Sequence, residues 1–411
     1  MGADMASRRA NHLEPRPPSA RVQRNRAAAG GLALVVALLA VVLVVVSRDG
    51  NEERVTATGA SSTAQGPVGA DRTAATGGSP SSTAPPAPGG PAAPGGDRGR
   101  RGSGQAVTLA FGGDVHFEGQ IRSRLSADPS SVLAGVAPLL RAADVAVVNL
   151  ETAITTRGTK AAGKQFHFRA PPSAFGALKA GGVDVASMAN NHGMDFGTQG
   201  LEDSLDAAAD ARFPVVGIGR DAGQAYRPFL TEVKGQRIAL LGATQVLDDN
   251  LRGAWTATDD RAGLASAKEV GRMTAAVRDA RAKADTVVVF LHWGTEGATC
   301  PNPAQPELAR VLAEAGADVI VGGHAHRLQG AGRLGPAFVA YGLGNFVFYT
   351  DAGPGAETGV LTVTVTGRDV EGYRWAPARL VGQLPKALQG AAATQAAAAW
   401  DRLRPCTGLD P

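Results

Sequence analysis

The chain has 411 residues, a formal net charge of +4 and two cysteines. That length allows one large domain or two small ones. The charge is uneven: residues 1–106 hold 12 Arg and no Lys against 7 acidic residues, and the remainder is close to neutral. No basic, aromatic-interleaved patch stands out in that remainder, which argues against nucleic acid as the main partner.

Residues 1–26 form a polar, Arg-rich tail. Ala27 to Val46 follows, an uncharged apolar run of about the ~20 residues a helix needs to cross a bilayer. The arginines precede it, so the positive-inside tendency puts the N-terminus in the cytoplasm and everything after Val46 outside the cell membrane. The competing reading is a cleaved signal peptide, but Ser47-Arg48-Asp49 offers no Ala-x-Ala-like site. Residues 47–105 are Gly, Pro, Ser, Thr and Ala with scattered charges. They hold too little apolar surface to offset ordering entropy and read as a disordered linker. Residues 106–411 are then one extracytoplasmic domain.

Within that domain strands alternate with helices. Strands are expected at 107–111, 145–148, 183–188, 237–241 and 286–291, residues 317–326 as a buried strand running into a glycine turn that carries two histidines, and helices at 132–142, 172–180, 200–211, 265–283 and 306–315. Beyond His326 the pattern becomes strands at 337–341, 360–365 and 373–381, closed by a helix at 391–403. This is a layered α/β pattern without internal repeats.

Ligand-type residues collect where strands end. The loops are Gly112-Gly113-Asp114-Val115-His116, Asn149-Leu150-Glu151, Asn190-Asn191-His192-Gly193-Met194-Asp195, His292-Trp293-Gly294-Thr295-Glu296 and Gly323-His324-Ala325-His326. In open α/β sheets, sites form at the carboxyl ends of strands. One such His or Asp would be an ordinary loop residue. Of the six histidines in the domain only His167 lies off these loops, a clustering that a purely structural account leaves to accident. Imidazole, carboxylate and amide ligands together suit Mn, Fe or Zn better than Ca.

The residues and their order resemble the calcineurin-like metallophosphoesterases, whose signature runs Asp-x-His, Asp, Asn-His, His, Gly-His-x-His. Asn149-Leu150-Glu151, Ala189 to Gly197, His292 to Glu296 and Gly342-Leu343-Gly344-Asn345-Phe346 more closely resemble the CapA branch, which serves capsule and poly-γ-glutamate biosynthesis. The resemblance covers roughly residues 107–350. It implies a four-layer α/β fold, two packed mixed β-sheets flanked by helices, and two divalent metal ions. Asp114, His116 and His326 would hold one ion, Asn191, His292 and His324 the other, and Glu151 would bridge them. His192, next to Asn191, would act as a general acid. The superfamily usually bridges with Asp; the extra methylene of Glu151 moves the carboxylate, a feature the CapA branch shares.

Around this set, Asn190 and Asp195 are expected to support the ligands or His192, or Asp195 to cap the following helix. Glu296 would contact substrate or a loop backbone. Arg169 and Arg327 would meet an anionic substrate or simply be solvated. An even cysteine count in an exported domain fits one Cys300–Cys406 bridge, the alternative being two free thiols. Two functions follow from the resemblance. One is synthesis or export of poly-γ-glutamate or a similar anionic envelope polymer with membrane synthase or export partners. The other is hydrolysis of an envelope phosphate ester. A metal-free adhesin or sugar-binding module is the third reading.

Overall fold

A computed structural model describes residues 102–411. The expected tail, membrane helix and most of the linker lie outside the described residues. Among the described residues no helix is long and apolar enough to cross a membrane. The last residues of the expected linker are tied down: Ser103 Oγ donates to Lys234 O, and Gln236 Nε2 donates to Gln105 O at 2.7 Å.

The first half runs β1 (Val107–Val115), α1 (Gln120–Ala127), α2 (Ala137–Arg141), β2 (Val145–Leu150), α3 (Ser173–Gly181), β3 (Val185–Ser187), α4 (Gly197–Asp210) and β4 (Val215–Val216). The second runs β5 (Phe229–Val233), β6 (Gln236–Thr244), α5 (Asp249–Trp255), α6 (Val270–Lys283), β7 (Thr286–Trp293), α7 (Ala304–Ala315) and β8 (Val319–His324). The chain then makes β9 (Ala331–Leu334), β10 (Ala337–Ala340), β11 (Asn345–Val347), β12 (Glu357–Thr366), β13 (Asp369–Val381), β14 (Leu384–Ala387) and α8 (Gly390–Asp401).

These strands form two large mixed sheets. The first has the order β14-β13-β12-β1-β2-β3-β4, with β11 also pairing β1; the second has the order β9-β10-β8-β7-β6-β5. The strands that lead to the site, β1, β2, β3 and β6, β7, β8, pair in parallel. Parallel strands buried on both faces need apolar side chains on both, and the sequence supplies them. In β7, Val288 and Phe290 pack between the sheets, while Val287, Val289, Leu291 and Trp293 pack under α6 and α7. In β1, Leu109 and Phe111 face the second sheet and Ala110 faces the helices of the first half. The result is helix, sheet, sheet, helix: two sheets packed face to face and covered outside by helices.

Two expected helices are shorter than their sequence suggests. Of residues 132–142 only Ala137–Arg141 is helical. Gly135 lies so close to Pro385 O that a Cβ there would sit 2.4 Å from it, and the chain turns to accommodate the contact. The helix expected from Ala265 begins at Val270, because Ala265 and Ala267 are spent on backbone bonds to Thr244. Strands β4, β5, β9, β11 and β14 and helices α1 and α5 were not anticipated.

Candidate metal centre

The alternation of side chains along a strand decides which residues reach the gap between the sheets. Val145 and Val147 of β2 face that gap, so Asn149 and then Glu151 fall on the same side. Val288 and Phe290 place His292 there in the same way. Asp114 has the wrong parity for this, sharing it with Ala110. A bulge corrects it: the β1–β2 register shifts between Phe111 and Asp114, setting Asp114 opposite Asn149. Gly112 and Gly113 make the bulge, and a Cβ on Gly113 would lie 1.9 Å from Gly344 O. In β8 the parity breaks at the strand end, where His324 and then His326 take positive φ (88° and 52°). Such angles cost a non-glycine residue about 1–2 kcal/mol each.

All these ends meet. Asp114 is fully buried; its Oδ2 accepts the His324 N–H at 2.9 Å and lies 3.5 Å from His326 Nδ1, and its Oδ1 accepts Asn149 Nδ2 at 2.8 Å. Burial alone would raise the Asp114 pKa, but His326, His292 and the His324 N–H bring it to about 2. Glu151 Oε1 lies 3.5 Å from His292 Nε2, 3.9 Å from His192 Nε2 and 4.0 Å from His326 Nε2. Burial alone would lower the His326 pKa, yet Glu151, Asp114 and Glu296 raise it to about 9. Burial and the neighbouring His292 and His326 hold His324 well below the usual imidazole range. Asn345 fixes His326, with Oδ1 2.8 Å from Nδ1.

Among the described residues, three sets of ligand atoms lie within 4.8 Å of one another: Glu151, His292, His324; Asp114, Glu151, His326; and Glu296, His324, His326. Glu151 is common to the first two. Both its carboxylate oxygens, and Nδ1 of His324, are buried without a hydrogen-bond partner. An unpaired buried carboxylate is expensive, and a cation among these donors removes the cost. The donor set therefore fits a metal.

Asn191 Oδ1 lies 2.7 Å from His292 Nε2. Asn190 braces that loop, donating to Asn149 Oδ1 (3.1 Å) and Leu150 O (2.9 Å) and accepting from the His192 N–H (3.1 Å). His192 Nδ1 lies 2.5 Å from Asp195 Oδ2, which leaves Nε2 facing Glu151. Asp195 also accepts the Phe168 N–H and Lys164 Nζ, both at 2.6 Å. Phe168 stacks on His192, with ring centroids 3.9 Å apart.

His116 stands apart from the three sets. The Glu118 N–H donates to its Nδ1 (3.0 Å), the Tyr349 N–H lies 3.3 Å from Nε2, and Phe168, Phe348 and Tyr349 enclose the ring. The Arg169 guanidinium lies over the Phe196 ring. Arg327 lines a neighbouring cleft of 270 Å³ with Thr358, Trp375, Arg379 and Trp400. Cys300 and Cys406 are joined by a disulfide, Cα atoms 5.7 Å apart. Sequence reasoning missed Lys164 and Phe168, which lie on an irregular loop with no pattern to mark them. It quoted Asn149 without a role, although strand parity pointed to one.

Comparison with known proteins bears on this site. The family model described as bacterial capsule synthesis protein PGA_cap matches residues 108–350, which hold every residue of the centre. The chain is 33% identical over 251 residues to the PGA biosynthesis protein CapA of Bacillus subtilis (strain 168), covering 60% of this chain and 64% of that one. It is 31% identical over 250 residues to the capsule biosynthesis protein CapA of Bacillus anthracis, covering 59% and 60%. The match thus spans less than two thirds of either relative. A putative 5'-nucleotidase from Staphylococcus aureus, solved in complex with alpha-ketoglutarate, aligns at 15% identity and a TM-score of 0.43, over 72% of this chain and 58% of that one.

Proposed function

The chain belongs to the bacterial capsule synthesis protein PGA_cap family, and from that premise we propose that it serves synthesis or export of poly-γ-glutamate or a similar anionic polymer at the cell envelope. Residues 27–46 would anchor it in the membrane, and membrane synthase or export proteins would be its partners. What carries the reading is the family match, because it encloses the whole centre.

In this reading Asp114, Glu151 and His326 hold one divalent ion, and Glu151, Asn191, His292 and His324 a second. Mn, Fe or Zn bound there would supply Lewis acidity toward an anionic oxygen. Glu151 is positioned to be shared, and Asn190 and Asn149 hold the ligand-bearing loops in register. Purified full-length protein is expected to carry metal by elemental analysis and to leave a chromogenic phosphodiester intact. Protein free of metal, and unable to take up Mn²⁺, would overturn the metal part.

One observation favours a second reading, phosphate-ester hydrolysis. His192 is oriented through Nδ1 by Asp195, itself paired with Lys164, while Nε2 faces Glu151. A histidine so held can deliver a proton to a leaving oxygen. Under this reading the same assay shows Mn²⁺-dependent turnover, and His192→Ala lowers it by roughly 10²–10⁴-fold with metal content unchanged. Turnover that survives His192→Ala would remove the reading.

A further inference from the structure

The loop between β7 and α7 brings one more carboxylate to the centre. Glu296 is exposed, yet its oxygen falls within 4.8 Å of ligand nitrogens on both His324 and His326. An exposed glutamate on a free loop would not hold such a position, and this loop is not free. The Gly297 N–H donates to Ala325 O at 2.8 Å, tying the loop to the very turn that carries the two histidines. Gln329 Nε2 reaches Ala298 O (3.1 Å) and Cys300 O (3.2 Å). Gln329 is held in turn by Gln305 Nε2 on its Oε1 (3.1 Å) and by Trp400 Nε1 on its backbone O (3.1 Å). The Cys300–Cys406 disulfide then fastens the loop to a segment 106 residues away. That segment is itself docked, through Arg404 Nε on Ala331 O (2.9 Å) and backbone bonds between Asp410 and Arg333.

We propose that Glu296 is a ligand of the metal centre and that the Cys300–Cys406 disulfide holds the loop that presents it. The inference rests on the metal reading above. It assigns the carboxylate to the side of the centre where His324 and His326 meet, complementing Glu151 in the interior. It also gives the bridge a task at the centre: closing one side of a coordination group built otherwise from strand ends. Glu296 needs no change of backbone to act, because its carboxylate already lies within 4.8 Å of ligand nitrogens on both histidines.

The test is Mn²⁺ binding by isothermal titration to full-length protein, comparing wild type, Glu296→Gln, the Cys300→Ser/Cys406→Ser pair and all three changes together. Glu296→Gln keeps the side chain's shape and removes its charge at an exposed position, so its folding is not at issue. It is expected to weaken binding roughly 10–100-fold, the range that supporting groups of metal sites already reach. Loss of the bridge is expected to weaken binding as well, and adding Glu296→Gln to it to cost little more, since the carboxylate is no longer presented. Equal affinity of wild type and Glu296→Gln overturns the ligand assignment. Effects of the two changes that multiply in full overturn the link to the bridge. Wild type that binds no Mn²⁺ at all sinks the underlying metal reading instead, so the two failures are told apart.

Discussion

Asp144, Asp184, Asp285 and Asp318 each stand one residue before or at the amino end of a parallel strand, and Asp114 and Glu151 stand at the carboxyl ends. The amino-end aspartates share one device. Each accepts the N–H at the start of the neighbouring strand: Asp144 from Thr108 (2.9 Å), Asp184 from Ala146 (2.8 Å), Asp285 from Arg237 (2.9 Å) and Asp318 from Val287 (2.8 Å). Three of them also pair with a cation, Lys234, Arg237 or Arg281. At the carboxyl ends, among the described residues, neither Asp114 nor Glu151 forms an ion pair with Lys or Arg, and the charged partners near them are histidines. The same residue type thus closes the sheets at one end and stays open to a ligand at the other. Acidity beside a strand says little until its partner is known.

The contrast is sharpest at Asp318, which bonds Val287 N and both Arg281 and Arg368 while nearly fully buried. Burial pushes its pKa up against those partners. Asp318→Ala leaves Arg281 facing an empty site and is expected to cost about 3 kcal/mol in urea unfolding. In metal-free protein, Glu151→Gln is expected to raise stability rather than lower it, since it removes a buried charge that has no hydrogen-bond donors. Equal losses in the two variants would erase the distinction between the ends.

Acidity also separates them in metal-free protein. The folded pKa of His326, raised to about 9, exceeds the ordinary imidazole value of 6.5. Its contribution is therefore fully present below about 6.5 and lost as pH rises through 9. Unfolding free energies measured with chelator from pH 6 to 10 are expected to fall by an amount on the order of 1–3 kcal/mol. His326→Gln is expected to flatten that fall. An unchanged profile in the variant would show that the histidines do not face an open negative charge.

The smallest effect is expected at Asp144. Its carboxylate is held below the usual range; burial opposes this, and Lys234 and Thr108 prevail. The Lys234 partner is substantially exposed. Asp144→Asn keeps the Thr108 contact and is expected to cost at most about 1 kcal/mol. A loss as large as that of Asp318→Ala would mean the amino-end device depends on charge rather than on hydrogen bonding.

Much of this was legible in the sequence because the strands are apolar on both faces and end in glycine-flanked polar motifs. Asp114, Glu151, Asn191, His292, His324 and His326 all stand at or just after strand ends, and the structure brings them together. His116 shows what spacing alone does not reveal. It stands two residues after Asp114, but Phe168, Phe348 and Tyr349 arrive from distant loops to enclose its ring, and local pattern carries no trace of that. Lys164 and the amino-end aspartates escaped for the same reason, since each acquires its meaning from a partner 27 or more residues away.

Gly323 carries one more consequence. A Cβ at that position would sit 2.2 Å from Asp114 Oδ1, so the two sheets meet there with room for a hydrogen atom and nothing larger. Oxygen donors come chiefly from one sheet and imidazoles from the other, and the two sets that share Glu151 draw on both halves. An ion bound between them would act as a rivet through two plates. It would be gripped only after the plates are seated, and its retention would report their alignment.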